Sequence, residues 1–158
     1  MKLSGGIEIG APADQVWTLI IDPVSLSSCI PGVSHVRQID ERTFEGSITV
    51  SVGPVDGDFD FNSTLVRREF PDLEVRLEGI DSVTKSRLEA TVVASLTSSD
   101  PSHTGLAYLA TISVRGRLAI LGEMILRATA GLIIAELTRC LQARLEGSGI
   151  GVGKTDGP

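Results

Sequence analysis

From about residue 40 to residue 115 the chain alternates apolar and polar residues with a period of two. Phe44, Gly46, Ile48, Val50 and Val52 alternate with Glu45, Ser47, Thr49 and Ser51. Leu73, Val75 and Leu77 alternate with Glu74, Arg76 and Glu78. Two further rows follow, Leu88 to Leu96 and Tyr108 to Val114. Successive side chains of a strand point to opposite faces, so these rows predict antiparallel strands with one buried and one wet face. Turn signals at Gly53-Pro54, Phe70-Pro71-Asp72, Gly79 to Ser82 and Ser98 to Ser102 separate them. The spacing gives about six strands in a meander, preceded by a first strand from Leu3 to Ile9.

Two short helices interrupt the start. Pro12 suits a first helical turn, and Val16, Trp17, Leu19 and Ile20 supply an apolar face. Asp22-Pro23 ends that helix, because a residue before proline avoids the α region. A second helical turn, about Val24 to Cys29, stops at Pro31-Gly32. The last element is a helix from about Leu118 to Glu146, roughly 43 Å long at 1.5 Å per residue. Gly131 between its two halves predicts a bend or a shift of the buried face. One domain, residues 1–146, and a loose glycine-rich tail, 147–158, account for the chain.

A twisted sheet with one apolar face must cover that face, and only one helix is long enough to do so. The expected fold is therefore α+β, a seven-stranded antiparallel sheet curled around the long C-terminal helix. Its inward positions mix aromatics (Phe44, Phe59, Phe61, Tyr108) with small residues (Gly46, Ser63, Ala90, Ala94, Ala110). Small residues facing a helix that carries Ala128, Ala130, Gly131 and Ala135 leave an apolar cavity of the lipid-binding type. The alternative is a close-packed core of small side chains.

The expected cavity lining draws on every element. The sheet contributes Phe44, Ile48, Phe59, Phe61, Ser63 and Leu77, then Ala90, Val92, Tyr108, Ala110 and Ile112. The long helix contributes Leu121, Ile125, Ala128 and Leu132, and the connection after the second short helix contributes Leu26, Cys29 and Ile30. The uncharged segment from Val24 to Val33 reads as a lid hinged at Pro31-Gly32, with the Gly53-Pro54 turn as the alternative route.

Composition narrows the function. Among 158 residues, 14 are Lys or Arg and 20 are Asp or Glu, for a net charge of −6 and no basic cluster in sequence. Nucleic acid is thereby excluded as an expected partner, since phosphate binding needs a basic stripe. No stretch approaches the ~20 apolar residues of a membrane span, and the N-terminus lacks a secretory apolar region, so a cytoplasmic location is expected. Two cysteines, Cys29 and Cys140, are too few for a disulfide framework.

Other motifs resolve to ordinary readings. Ser148 to Thr155 almost spells a phosphate-binding loop, but it lacks the first glycine and follows a helix. Asp56, Asp58 and Asp60 imitate a calcium loop, yet Phe61 and Arg67 stand where glycine and glutamate are needed. Cys29 near His35 is read as a small buried side chain rather than a nucleophile, for want of a base. Trp17 reads as a core anchor and His103 as a solvated turn residue. Two histidines exclude a histidine-rich metal site, and no cofactor is expected.

Several short segments carry a resemblance. Met1 to Gly5, Ala11-Pro12 with Val16-Trp17, Asp22-Pro23, Cys29-Ile30-Pro31-Gly32, and Val52-Gly53-Pro54-Val55 with Gly57 and Phe59 are similar to the carbon monoxide dehydrogenase G-subunit family. That family lies in the START-like superfamily, related to polyketide cyclases and built on the helix-grip fold. The resemblance covers about residues 1 to 146. It implies a non-catalytic accessory that binds a quinone- or lipid-like molecule and recruits a molybdenum hydroxylase-type enzyme to the inner membrane. Two departures are visible: the C-terminal helix lacks phenylalanines and no hydrophobic extension follows it, so a peripheral membrane contact is the expectation. The alternative function is a small enzyme, a cyclase or aromatase of the same superfamily, which needs proton-transferring groups aimed into the cavity.

Overall fold

The computed structural model describes residues 1–154, with side chains up to Gly147. Strand β1 (Lys2–Ile9) leads into helices α1 (Ala13–Ile20) and α2 (Pro23–Ser27). Six strands follow: β2 (Val33–Gln38), β3 (Thr43–Val52), β4 (Val55–Glu69), β5 (Asp72–Asp81), β6 (Arg87–Asp100) and β7 (His103–Arg115). A 3-10 turn, Arg117–Leu121, precedes the long helix α3 (Glu123–Lys154).

The seven strands form one antiparallel sheet in the order β1-β7-β6-β5-β4-β3-β2. Thus β2 to β7 meander and β1 returns to pair with β7, Leu3 opposite Ala110 and Ile7 opposite Leu106. Helix α3 crosses the concave side, its backbone nearest β1 on one flank and β3 on the other. This is the helix-grip fold that the alternation predicts.

Packing is uneven along that concave side. At one end Leu73, Ala94, Leu96 and Leu106 of the sheet close on Val16 and Ile20 of α1 and on Leu141 and Leu145 of α3. Pro12 caps α1 through its carbonyl, which accepts from the amides of Gln15 and Val16. Trp17 packs against the same core and meets Phe70 edge to face at 5.3 Å, the anchoring role its spacing predicts.

Three expectations are corrected. The run Leu118 to Leu121 is not the first turn of the long helix, because Gly122 takes φ +92° and separates the two. Helix α3 continues through Lys154, beyond the stop expected after Glu146. The side chains from Ser148 onward, with the loop-like glycine motif, and all of residues 155–158 lie outside the described residues. Finally, Cys29 and Cys140 are joined in a disulfide. Sequence spacing hid it, because the 111 positions between them close up only when α3 lies across the sheet, bringing the Cα atoms to 5.4 Å.

Candidate ligand-binding hollow

Strand register puts the expected lining residues on one face. Phe44, Ser63, Leu77, Ala90 and Ile112 form one continuous cross-strand row, and Val75, Val92, Ala110 and Leu3 form the next. A third row, nearer the far end, holds Gly46, Phe61, Gly79, Leu88 and Val114. Opposite them, α3 presents half-buried Leu126, Thr129, Ala130, Ile133 and Leu137. Phe44, Ala110 and Phe59 are buried, whereas Ile48, Phe61, Ser63, Leu77, Ala90, Val92, Tyr108 and Ile112 keep partial exposure. Inward-facing apolar residues that still meet solvent mark a face that is incompletely filled.

The aromatic rings explain why space remains. A Cβ on Gly46 would stand 2.9 Å from the ring of Phe61, its cross-strand partner, so Phe61 lies over the glycine backbone. Tyr108 lies over Gly5 in the same way, with a Cβ there meeting its hydroxyl at 2.7 Å. Phe59 covers Gly57, at 2.9 Å. Rings laid along the sheet over glycines add apolar wall without blocking the space between sheet and helix.

Two helix positions are misplaced by the sequence reading. Ala128 and Leu132 are exposed on the outer side of α3, Leu132 at 71%. Counting back by threes and fours from the buried pair Leu145 and Leu141 gives Leu137, Ile133, Thr129 or Ala130, and Leu126, the true inward stripe. Ile125 is half-buried with its Cγ2 methyl under the Gly53 turn, and Leu121 is half-buried in the 3-10 turn. Leu3, Val75, Leu88 and Val114 also face inward and were legible from the alternation.

The expected lid is fastened down. Leu26 packs on the closed core, and Cys29 is held to α3 by its disulfide. Arg144 donates to the carbonyl of Ser25 and the hydroxyl of Ser28. Pro31-Gly32 is no hinge either. A Cβ on Gly32 would fall 2.1 Å from the Thr49 carbonyl oxygen, and the Gly32 carbonyl accepts from the Thr49 amide. Ile30, half-buried, follows this tied segment.

Charge is nearly absent from the inward rows. Asp81, at their far end, is buried, and its carboxylate accepts from the amides of Asp58 and Thr84 and from the Thr84 hydroxyl. Burial opposes its charge, but these bonds outweigh that cost and hold the carboxyl below its ordinary value. All its strong donors are local, so it has no lone pair aimed at a bound molecule.

Two concavities open on the described surface. One, about 560 Å³, runs along the seam between β1 and α3, lined by Leu3, Gly5, Ile7, Tyr108, Gly131 and Ile134 among others. Of the expected lining residues, it takes in Tyr108. The other, about 580 Å³, is polar and lies beside Glu8, Gln15, His103 and Glu146, outside the sheet. There His103 is exposed and paired with Asp100 at 2.9 Å, which raises its pKa. Among the described residues, no three His, Cys, Asp or Glu side chains are grouped to hold a metal ion.

The family model of the carbon monoxide dehydrogenase G subunit (CoxG) matches residues 5–146, from the middle of β1 to the polar end of the α3 core stripe. The chain belongs to that family. This CoxG-family protein has no match among curated proteins. Its fold is shared with a conserved protein from Geobacillus kaustophilus, at TM-score 0.86 and 24% identity over 94% of this chain and 97% of that one. It is shared also with a START superfamily protein from Mycobacterium smegmatis, at TM-score 0.71 and 14% identity over 92% and 97%. The Zhui aromatase/cyclase from Streptomyces sp. R1128 superposes at TM-score 0.70 and 13% identity over 93% and 94%. At these identities the likeness extends to the fold.

Proposed function

We propose that this CoxG-family protein is a non-catalytic accessory that holds an apolar, lipid- or quinone-like molecule between the concave sheet and α3. In this reading it serves a molybdenum-containing enzyme of the carbon monoxide dehydrogenase type and works at the membrane periphery. The observation that carries it is the character of the inward rows: uncharged, apolar and partly exposed, with Phe61 and Tyr108 lying over glycines. Such a surface favours an apolar ligand by area burial, at roughly 25 cal/mol per Å², and offers little to orient a charged one.

The cyclase reading rests on a narrower observation. Tyr108 and Ser63 bring hydroxyls to the inward face, and an aromatase/cyclase shares the fold. A cyclase has to move protons, and Asp81 is already saturated by its own turn. Native mass spectrometry of the purified protein, before and after mild organic extraction, tests the carrier reading. An adduct lost on extraction and regained from a quinone or a phospholipid is expected. Turnover of a model polyketide without stable ligand retention overturns it in favour of the enzyme.

A further inference from the structure

In an antiparallel meander the β3–β4 and β5–β6 turns and the end of β7 fall at the same end of the sheet. The structure ties them together there. The Leu118 amide donates to the Ser86 hydroxyl at 3.0 Å, and the Gly53 turn rests on Ile125. Three aliphatic side chains project from this end with nothing to cover them: Val83 at 78% exposure, Ile120 at 83% and Met124 at 85%.

Around them stand four exposed cations, Lys85, Arg87, Arg115 and Arg117. Among the described residues none of the four has a carboxylate within 4.0 Å, although the chain as a whole carries a net charge of −6. Arg87 and Arg115 are direct cross-strand partners, and like charges directly opposite weaken a strand pair. The nearby acids do not relieve them: Asp81 is buried and saturated, Glu123 is taken by Arg127, and Asp56 accepts from Ser51. Asp58 is exposed on the outer face of β4, beyond ion-pair distance. Sequence order scatters these cations over two separate stretches, which is why no cluster shows in the sequence.

We propose that this end docks on an anionic lipid bilayer. Val83, Ile120 and Met124 enter the boundary between headgroups and acyl chains, while the four cations lie at the level of the lipid phosphates. Protruding single aliphatics ringed by unpaired cations fit a soft, negatively charged, apolar-beneath surface. A globular partner would instead need a broad complementary face. The inference deepens the carrier reading, since drawing an apolar molecule from a bilayer requires touching it. It is tested without any ligand, so the two can fail separately.

The test is co-sedimentation of the full chain with empty vesicles of phosphatidylcholine, with and without phosphatidylglycerol. Binding is expected only to the anionic vesicles and is expected to fall as salt rises. Each cation contributes about fivefold to partitioning, so Lys85→Gln with Arg117→Gln should weaken it roughly 25-fold. Ile120→Asp with Met124→Asp should abolish it, while Leu132→Asp, equally exposed elsewhere on α3, should leave it unchanged. All these side chains are solvent-facing, and unchanged melting temperatures verify that the variants fold. Equal binding to both vesicle types, no binding to either, or an equal loss in the Leu132 variant would each overturn the proposal.

Discussion

Asp81 shows what a single buried carboxylate does in this molecule. It ties the β5–β6 turn to β4 by accepting from Asp58 and, twice, from Thr84. Its folded pKa lies below the ordinary value, so the stabilisation it gives is complete above about pH 4 and is lost as pH falls through the depressed value. Replacing it by Asn leaves two donors facing an amide group, at a cost of about 1–3 kcal/mol at neutral pH. Urea unfolding at pH 7 and at acid pH is expected to show that loss together with a shallower decline on acidification. An unchanged acid limb would mean that another carboxylate governs it. Nothing in the alternation marks Asp81 as special. It falls on an inward position of β5, where a charged residue looks like a register error until its three donors are seen. The cysteines were equally silent, since their pairing depends on a crossing that no local pattern encodes.

Among elements, the junction between sheet and long helix was legible in kind and misread in detail. Leu118 to Leu121 is apolar enough to pass for a helical turn, and Gly116 is a visible stop signal. Gly122 is the true boundary. Both glycines adopt backbone angles that side chains rarely take, φ +97° at Gly116 and +92° at Gly122. Their surroundings differ. A Cβ on Gly116 would stand 3.0 Å from the Ser86 Cα, whereas nothing lies within 4 Å of one on Gly122. Gly122→Ala should therefore cost only the backbone strain, about 1 kcal/mol, and Gly116→Val about 2–3 kcal/mol. Thermal melts of the two variants check this, and equal losses would show that the approach to Ser86 is no constraint. The meander itself was readable because period-two alternation reports burial directly. The phase of α3 was not, because its early turns carry small and apolar residues on several sides.

At the scale of the molecule, the concave side is closed at the α1 end and open in its middle. Ala94 sits in the closed end among Leu73, Leu96 and Leu106, while Ala110 belongs to the row of Val92 and Leu3. The same substitution should separate them. Ala94→Phe overpacks a filled core and is expected to cost roughly 1–3 kcal/mol or more. Ala110→Phe is expected to cost less and to block uptake of a lipid or quinone. Chemical denaturation and native mass spectrometry of both variants supply the two readings. Comparable destabilisation at both sites, with no ligand held by the unmodified protein, would mean that the middle is packed as tightly as the end. The sheet's share of the hollow was legible from which residues are small. That its rings lie flat was not, since glycine–aromatic pairing requires the register.

On the C-terminal side of the Cys29–Cys140 bridge, Gln142 bonds the Glu8 carbonyl, Glu146 the Gly10 amide, and Arg144 the segment after α2. On its N-terminal side, the polar attachment of α3 to the sheet is the bond from Arg127 to the Lys2 carbonyl. From Cys140 back to Glu123 the helix is about 25 Å long at 1.5 Å per residue. A small rotation at the bridge thus becomes a wide displacement at the far tip, where the unconfined Gly122 gives way. The gap so opened faces the end that carries Val83, Ile120 and Met124.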